Sequence, residues 1–139
     1  MIKTVGCAIV ALNKNDPFMV LLGKRTKSPG DGLWVLPGGK VNVSESTDAC
    51  VKRETFEEIN ISLVSPKPCY HNWLPEDSGG MLMLYYTERV NPMDVQLKAA
   101  HEFSELKWFD AHELPKEMWL SDVRAITAVF GAGTVGISL

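Results

Sequence analysis

Gly39-Lys40-Val41-Asn42-Val43-Ser44-Glu45, continued seven residues later by Arg53-Glu54-Thr55-Phe56-Glu57-Glu58, is the stretch on which the fold and the chemistry turn. It joins a glycine turn, a lone glutamate and a dense acidic run. Glu54, Glu57 and Glu58 stand at i, i+3 and i+4, so a helix stacks their carboxylates on one face. Like charges at that spacing repel and weaken an isolated helix. Something must offset them, and a divalent cation is the natural candidate, because hard carboxylate oxygens suit Mg²⁺ or Mn²⁺.

The helix has readable ends. Ser46 or Thr47 offers a capping hydroxyl, and Asp48 suits the positive end of the helix dipole. Asn60 tolerates the left-handed conformation that closes helices. Upstream, Val5 to Leu12 reads as a buried strand, Asn13 to Pro17 as a turn and Phe18 to Leu22 as the returning arm of a hairpin. A loop through Ser28-Pro29-Gly30-Asp31-Gly32 leads to a short strand, Leu33 to Leu36, cut off by Pro37. Downstream, Ile61 to Val64 is expected to open a new strand, and Met81 to Tyr86 and Leu106 to Phe109 are further apolar runs. Asp110 to Leu114 reads as a single helical turn, and Ser121 to Phe130 as a last helix capped by Ser121 or Asp122. The Gly-rich tail, Gly131 to Leu139, is expected to fray. Strands and helices mixed without strict alternation predict a single α/β or α+β sandwich with a mixed sheet.

The length, 139 residues, fits one domain with a full core, and 45% hydrophobic with 22% charged residues is an ordinary globular composition. A net charge of -3 speaks against a broad basic surface for duplex nucleic acid. It leaves room for a small nucleotide whose phosphates a metal helps to neutralise. Cys7, Cys50 and Cys69 form no CxxC pair and no zinc spacing, so they read as buried free thiols of a reducing compartment. The first residues lack the apolar core of a signal peptide, and the apolar runs are too short to span a bilayer. The cytoplasm is the expected location, with no membrane partner.

Gly38 and Gly39 let backbone approach a ligand or metal closely, and their carbonyls can face inward beside the carboxylates. Mg²⁺ takes few protein oxygens and completes its shell with waters and substrate phosphates, so the arrangement points to phosphate chemistry. Arg53 precedes Glu54 directly, which predicts that the two side chains diverge. It can instead pair with Glu57 at i+4, or clamp Glu45 with its planar fork and so orient the acidic cluster. The plainer reading is a surface pair worth only ~0.2–0.5 kcal/mol.

The run Gly39-x5-Glu45-x7-Arg53-Glu54-Thr55-Phe56-Glu57-Glu58-Ile59-Asn60-Ile61 resembles the Nudix box of the Nudix hydrolases in every charged position. It departs at Thr55, where the family pattern has an aliphatic residue, and at Asn60, where it has glycine. Leu22-Gly23-Lys24-Arg25 and Leu33 to Gly39 are similar to the segments that precede the box in nucleotide-acting members. The resemblance implies an α/β/α sandwich with a mixed sheet, and hydrolysis of a diphosphate linked to another moiety.

By the same resemblance, Glu57 and Glu58 would be metal ligands, Glu54 a ligand or the general base, and the Gly38 carbonyl a further ligand. Glu45 and Arg53 would support the site. An acidic residue before the last core strand is also expected: Glu102 and Glu105 both fit, and Glu105 is preferred. The cofactor would be Mg²⁺, with Mn²⁺ as the alternative, and related small enzymes often form homodimers.

Arg25, Gly39 and Lys40 are candidate phosphate contacts, although Lys24-Arg25 also fits plain surface charge. Trp73, beside His71 and Asn72, is a candidate to stack on a base, as are Tyr85, Trp108 and Trp119, although most large aromatics belong to cores. The likeness around Leu22 to Gly39 leans toward nucleoside triphosphate pyrophosphatases, oxidised nucleotides included. Hydrolysis of a GDP-mannose-like nucleotide sugar or of ADP-ribose is the alternative. A non-catalytic nucleotide-binding module is disfavoured by the intact box.

Overall fold

The structure, a computed structural model, describes residues 4–75 and 80–131. Its elements run β1 (Thr4–Asn13), β2 (Met19–Arg25), β3 (Trp34–Val35), β4 (Gly38–Lys40), α1 (Thr47–Ile59), β5 (Lys67–Leu74), β6 (Met81–Val90), β7 (Phe103–Asp110) and α2 (Leu120–Phe130). Of the expected tail, residues 132–139 lie outside the described residues.

β1 is apolar along almost its whole length because it is buried on both faces. Its side chains alternate between two cores. Cys7, Ile9 and Ala11 face one side, with Val51, Ile59 and Tyr86. Ala8, Val10 and Leu12 face the other, with Tyr85, Ala125 and Ile126. One core therefore lies under α1 and the other under α2. Each fully buried aliphatic side chain contributes about 1.5–3 kcal/mol before entropy is counted.

The sheet is mixed, as the alternation of elements predicts. β1 runs parallel to β6 and antiparallel to β2, β6 pairs antiparallel with β5, and β7 and β3 both pair antiparallel with β2. The other edge of β1 is divided. Leu12 meets Val20 of β2, whereas Gly6, Cys7 and Ala8 meet Lys40, Gly39 and Gly38 of β4. The glycine turn is thus a strand stitched to the most buried strand of the molecule.

The expected hairpin, the first helix and its ends match the structure. Ser46 caps α1 by accepting from the Ala49 N–H at 3.1 Å, and Asn60 closes it with φ 65°. Three expectations need correction. Ile61 to Val64 is not a strand: Ile61 and Leu63 turn into the α1-side core, and β5 begins only at Lys67. The N–H groups of Val64 and Ser65 donate to the Glu88 carboxylate, which takes the place of a neighbouring strand. Asp110 to Leu114 closes as a turn around Asp110, whose side chain accepts from the His112 N–H. Finally, α2 starts at Leu120 with Trp119 in the capping position and no side-chain cap bond. Ser121 and Asp122 fall inside its first turn, because both side chains are drawn into hydrogen bonds with the sheet.

Thr55 sits on the buried stripe of α1, fully enclosed, and its hydroxyl has no hydrogen-bond partner among the described residues. A buried hydroxyl without a partner costs about 1–3 kcal/mol by protein mutational data. Thr55→Val should therefore raise the free energy of unfolding by about 1 kcal/mol in urea titration. A loss of stability would show that the hydroxyl does have a partner in solution.

Candidate active site

Two glycines let the box close on itself. A Cβ on Gly38 would stand 2.7 Å from the Ala8 Cα, so β1 and β4 pack here only without one. A Cβ on Gly39 would stand 2.6 Å from Glu54 Oε2. The carboxyl of Glu54 therefore lies directly on backbone that glycine alone leaves open.

α1 presents its three glutamates at graded depth. Glu58 belongs to the buried stripe, with 4% of its surface exposed. The side chain of Glu54 is 17% exposed and that of Glu57 54%. The single acidic face expected from the spacing is thus a slope from core to solvent. Glu58 accepts the Gly38 N–H at 2.8 Å. The Gly38 N–H thus ties the turn to Glu58, and its carbonyl belongs to the same residue that the sequence offered as a metal ligand.

Arg53 organises the rest. Its Nε and Nη2 grip both oxygens of Glu45 at 2.7 and 3.0 Å, a two-point clamp. Nη1 reaches Glu54 at 2.8 Å and Glu57 at 3.0 Å, and Nη2 also approaches the Lys40 carbonyl at 3.3 Å. Arg53 and Glu54 were expected to diverge. They meet because the guanidinium, fixed by Glu45, folds back over the helix end of the glutamate cluster. Glu45 itself is set by a turn in which its carboxylate accepts the Asn42 N–H and Ser44 takes φ 66°.

The charges follow from these contacts. Arg53 and the Asn42 N–H pull the Glu45 carboxyl down to about 2. Glu58 is pushed up to about 9, first by burial and then by the charge of Glu54, against the pull of the Gly38 N–H. Glu54 is raised by burial and by Glu57 and Glu102, with Arg53 working in the opposite direction. The charge of Glu102 is felt at both Glu54 and Glu58, and its carboxylate is held by Lys27 at 2.9 Å. Glu105, preferred from sequence, is exposed and sits where the pairing of β7 with β2 slips. Of the two, Glu102 is the one joined electrostatically to the cluster.

Five carboxyl groups, Glu45, Glu54, Glu57, Glu58 and Glu102, thus face the Arg53 guanidinium and the Lys27 ammonium, with His101 3.7 Å from Glu102. Among the described residues no three potential ligands form a ready-made cation cage, and Arg53 is paired with both Glu54 and Glu57. The donor chemistry nonetheless fits a small hard cation: all-oxygen ligands, excess negative charge, and a buried carboxyl whose partner is a single N–H.

The expected substrate contacts are only partly gathered here. Lys40 is exposed at the end of β4, next to the clamp. Arg25 is committed to its own loop, donating from Nε to the carbonyls of Lys27 and Pro29 at 3.0 and 2.8 Å and lying over the Trp119 ring. Trp73 is 41% exposed on β5, whereas Trp108 packs against the α1-side core and Tyr85 is buried. Asn72 donates to Ser121. Sequence reasoning missed Asp122 as anything but a cap. It is buried, accepting the Tyr85 hydroxyl at 2.8 Å and the Leu36 N–H at 3.0 Å. An acid in a first helical turn carries no sign that it will point inward.

The model of the NUDIX domain family matches residues 2–129. The chain belongs to the Nudix hydrolase family. It is 30% identical over 130 residues to an RNA pyrophosphohydrolase of Erythrobacter litoralis, covering 79% of this chain and 78% of the relative. It is 29% identical over 99 residues to an ADP-ribose pyrophosphatase of Methanocaldococcus jannaschii, covering 70% of this chain but only 57% of that protein's length. The solved MutT NUDIX hydrolase of Burkholderia pseudomallei superposes with a TM-score of 0.82 at 26% identity, over 91% of this chain and 97% of the other. The α/β/α sandwich is therefore the Nudix fold. No helix among the described residues is long and apolar enough to cross a membrane.

The buried carboxyl yields a test. The folded value for Glu58, about 9, lies above its ordinary 4.5, so its contribution to stability is full below about 4.5 and is lost as pH rises through about 9. Between about pH 7 and pH 9 the protein without divalent cation should lose stability, a window above Asp122 at about 6 and Glu45 at about 2. Glu58→Gln should flatten that slope in urea unfolding. An identical slope in the variant would mean that Glu58 is ionised and solvated at neutral pH.

Proposed function

We propose that this Nudix protein hydrolyses a phosphoanhydride bond in a nucleoside diphosphate-linked substrate, and that its preferred case is a (d)NTP, oxidised forms included, cleaved to the (d)NMP and pyrophosphate. The observation that carries this reading is the placement of Glu58 on Gly38 and of Glu54 against Gly39, with Arg53 tying Glu54 and Glu57 to the Glu45 clamp.

Glu54, Glu57 and Glu58 would hold Mg²⁺ or Mn²⁺, with Gly38 and an acidic residue before β7 beside them. Such a cation, when bound, polarises a phosphoryl oxygen and makes water a better nucleophile at neutral pH. The chain supplies the rest. Glu54 or Glu57 accepts the proton of the attacking water, a step worth ~10²–10⁴-fold. The water oxygen bonds to phosphorus, the bridging P–O bond breaks, and the pyrophosphate carries away its electron pair. Arg53 keeps the carboxylates in position, and the bulk of Glu45 and β4 holds the turn against them. Lys40 is placed to meet a phosphate at the rim. Trp73 is exposed enough to meet a base, and Gly39, lacking a side chain, lets the Glu54 carboxyl lie against the turn beside the proposed phosphate contacts.

The relatives named above support the broad substrate class, since their names pair nucleotide or RNA with pyrophosphate chemistry. The likeness of Leu22 to Gly39 to triphosphate pyrophosphatases favours the narrower choice. Hydrolysis of ADP-ribose or of a nucleotide sugar is the second reading, and the 29% identical ADP-ribose pyrophosphatase favours it.

The deciding experiment is turnover with Mg²⁺ on a panel of ordinary and oxidised (d)NTPs, ADP-ribose and nucleotide sugars, with products identified by mass. A monophosphate and pyrophosphate from a triphosphate support the first reading; cleavage of ADP-ribose or a sugar nucleotide alone supports the second. Glu57→Gln, at a largely exposed position, should fold normally by circular dichroism and lower kcat by ~10²–10⁴-fold. A folded variant with full activity would remove Glu57 from the chemistry.

A further inference from the structure

The segment Leu36–Gly39 is held from both faces of the sheet by two buried carboxyls. From the α2 side, Asp122 Oδ2 accepts the Leu36 N–H at 3.0 Å. From the α1 side, Glu58 Oε1 accepts the Gly38 N–H at 2.8 Å. Between them, the Pro37 carbonyl accepts the Ile9 N–H of β1 at 2.9 Å. Asp122 and Glu58 are each 4% exposed. Successive N–H groups of an extended chain point to opposite sides, so residues 36 and 38 could share one partner strand. Here they are split between two helices instead, and the proline between them has no N–H to offer.

Asp122 is itself pinned. Its Oδ1 accepts the Tyr85 hydroxyl at 2.8 Å; with that proton used, Ser121 Oγ donates to the Tyr85 oxygen at 2.7 Å and itself accepts from Asn72 at 3.2 Å. The whole network belongs to the α2-side core, and none of its members is a glutamate of the box. Its side-chain hydrogen bond to the box segment runs through the Leu36 N–H, while Tyr85 also borders it through Ala8, which pairs with Gly38.

We propose that Asp122 is a positioning residue for the glutamate site: by holding Leu36 it sets the height of the Gly38–Gly39 turn against Glu58 and Glu54. The proposal rests on the reading of the glutamate cluster as a divalent-cation site. Two neighbouring peptides fixed at both ends leave the turn no freedom to slide along β1. Without Asp122 the Leu36 N–H is buried without an acceptor, and the segment shifts toward a new one. Gly38 then leaves Glu58, and the carboxylates lose their common origin. Partners that orient ligands in this way typically change metal affinity or activity by ~10–100-fold when removed.

The test compares Asp122→Leu, which keeps the branched shape with bulkier methyls and removes the acceptor, with Asp122→Asn, which keeps one oxygen for Leu36. Two readouts are independent of turnover: hydrogen exchange of the Gly38 N–H, and Mn²⁺ binding followed by the electron paramagnetic resonance of the free ion. The Leu variant should speed Gly38 exchange and weaken Mn²⁺ binding by about tenfold or more, while the Asn variant stays within about threefold of the parent. Equal behaviour of the two variants overturns the proposal, as does a Tyr85→Phe variant, with Leu36 still held, that weakens Mn²⁺ as much as Asp122→Leu.

Should the Leu variant fail to fold, the parent protein alone decides. The Leu36 and Gly38 N–H groups should then exchange with matching protection, and Gly38 exchanging more than about tenfold faster than Leu36 overturns the coupling. Failure of the parent to hydrolyse any nucleotide would count against the proposed reaction only, since the exchange of Gly38 does not depend on it.

Discussion

One guanidinium against a crowd of carboxylates is the constraint from which the rest of this molecule follows. Arg53 meets Glu45 at two points and touches Glu54 and Glu57 with its remaining nitrogen. A planar fork is needed for this, because a lysine ammonium offers no two-point geometry toward Glu45. The turn that delivers Glu45, the left-handed Ser44 and the glycine that clears space for Glu54 all serve to bring these groups within reach. Even so, the acids outnumber the bases, and Glu58, deepest of them, is pushed toward its neutral form by burial and by its neighbours. The imbalance is what the proposed divalent cation would relieve.

That imbalance is tolerable only on a rigid support. β1 is clamped by side chains on both faces and by three neighbouring strands, so β4 and its glycines are fixed at their most sensitive point. The two cores are not equivalent in purpose. The core under α1 carries the glutamates and includes Cys50, whose thiol lies 3.5 Å from the Lys40 carbonyl. Burial raises the thiols of Cys7 and Cys50, so these are packing groups rather than nucleophiles. The core under α2 carries the buried Asp122 network, which touches the same turn from behind. The glycine turn is thus steadied from both layers of the sandwich.

Thr55 and Asn60, the two departures from the family box, behave differently once folded. Asn60 adopts the left-handed conformation that glycine would, with its amide also donating to the Asp94 carbonyl at 3.3 Å. The substitution is absorbed because asparagine visits that region at little cost. Thr55 is not absorbed in the same way, since its hydroxyl is enclosed with no partner among the described residues. The methyl still fills the core, which is why a β-branched residue of this size is tolerated there.

The sequence by itself determined the local features: the capped helix from Ser46 to Asn60, the hairpin, the mixed sandwich, and the spacing that groups Arg53 with Glu45, Glu54, Glu57 and Glu58. These depend on intervals of a few residues, where helical periodicity and capping chemistry act directly. Only the tertiary structure decided the depth of each glutamate, the meeting of Arg53 with its immediate neighbour Glu54, the electrostatic reach of Glu102 to Glu54 and Glu58, and the commitment of Arg25 to its own loop. It also decided that Ile61 to Val64 would serve the core, with Glu88 taking their backbone partners, and that Asp122 would turn inward. Each of these depends on which side chain, remote in the chain, fills the space opposite. Burial and charge pairing act through that space, and residue spacing carries no record of it.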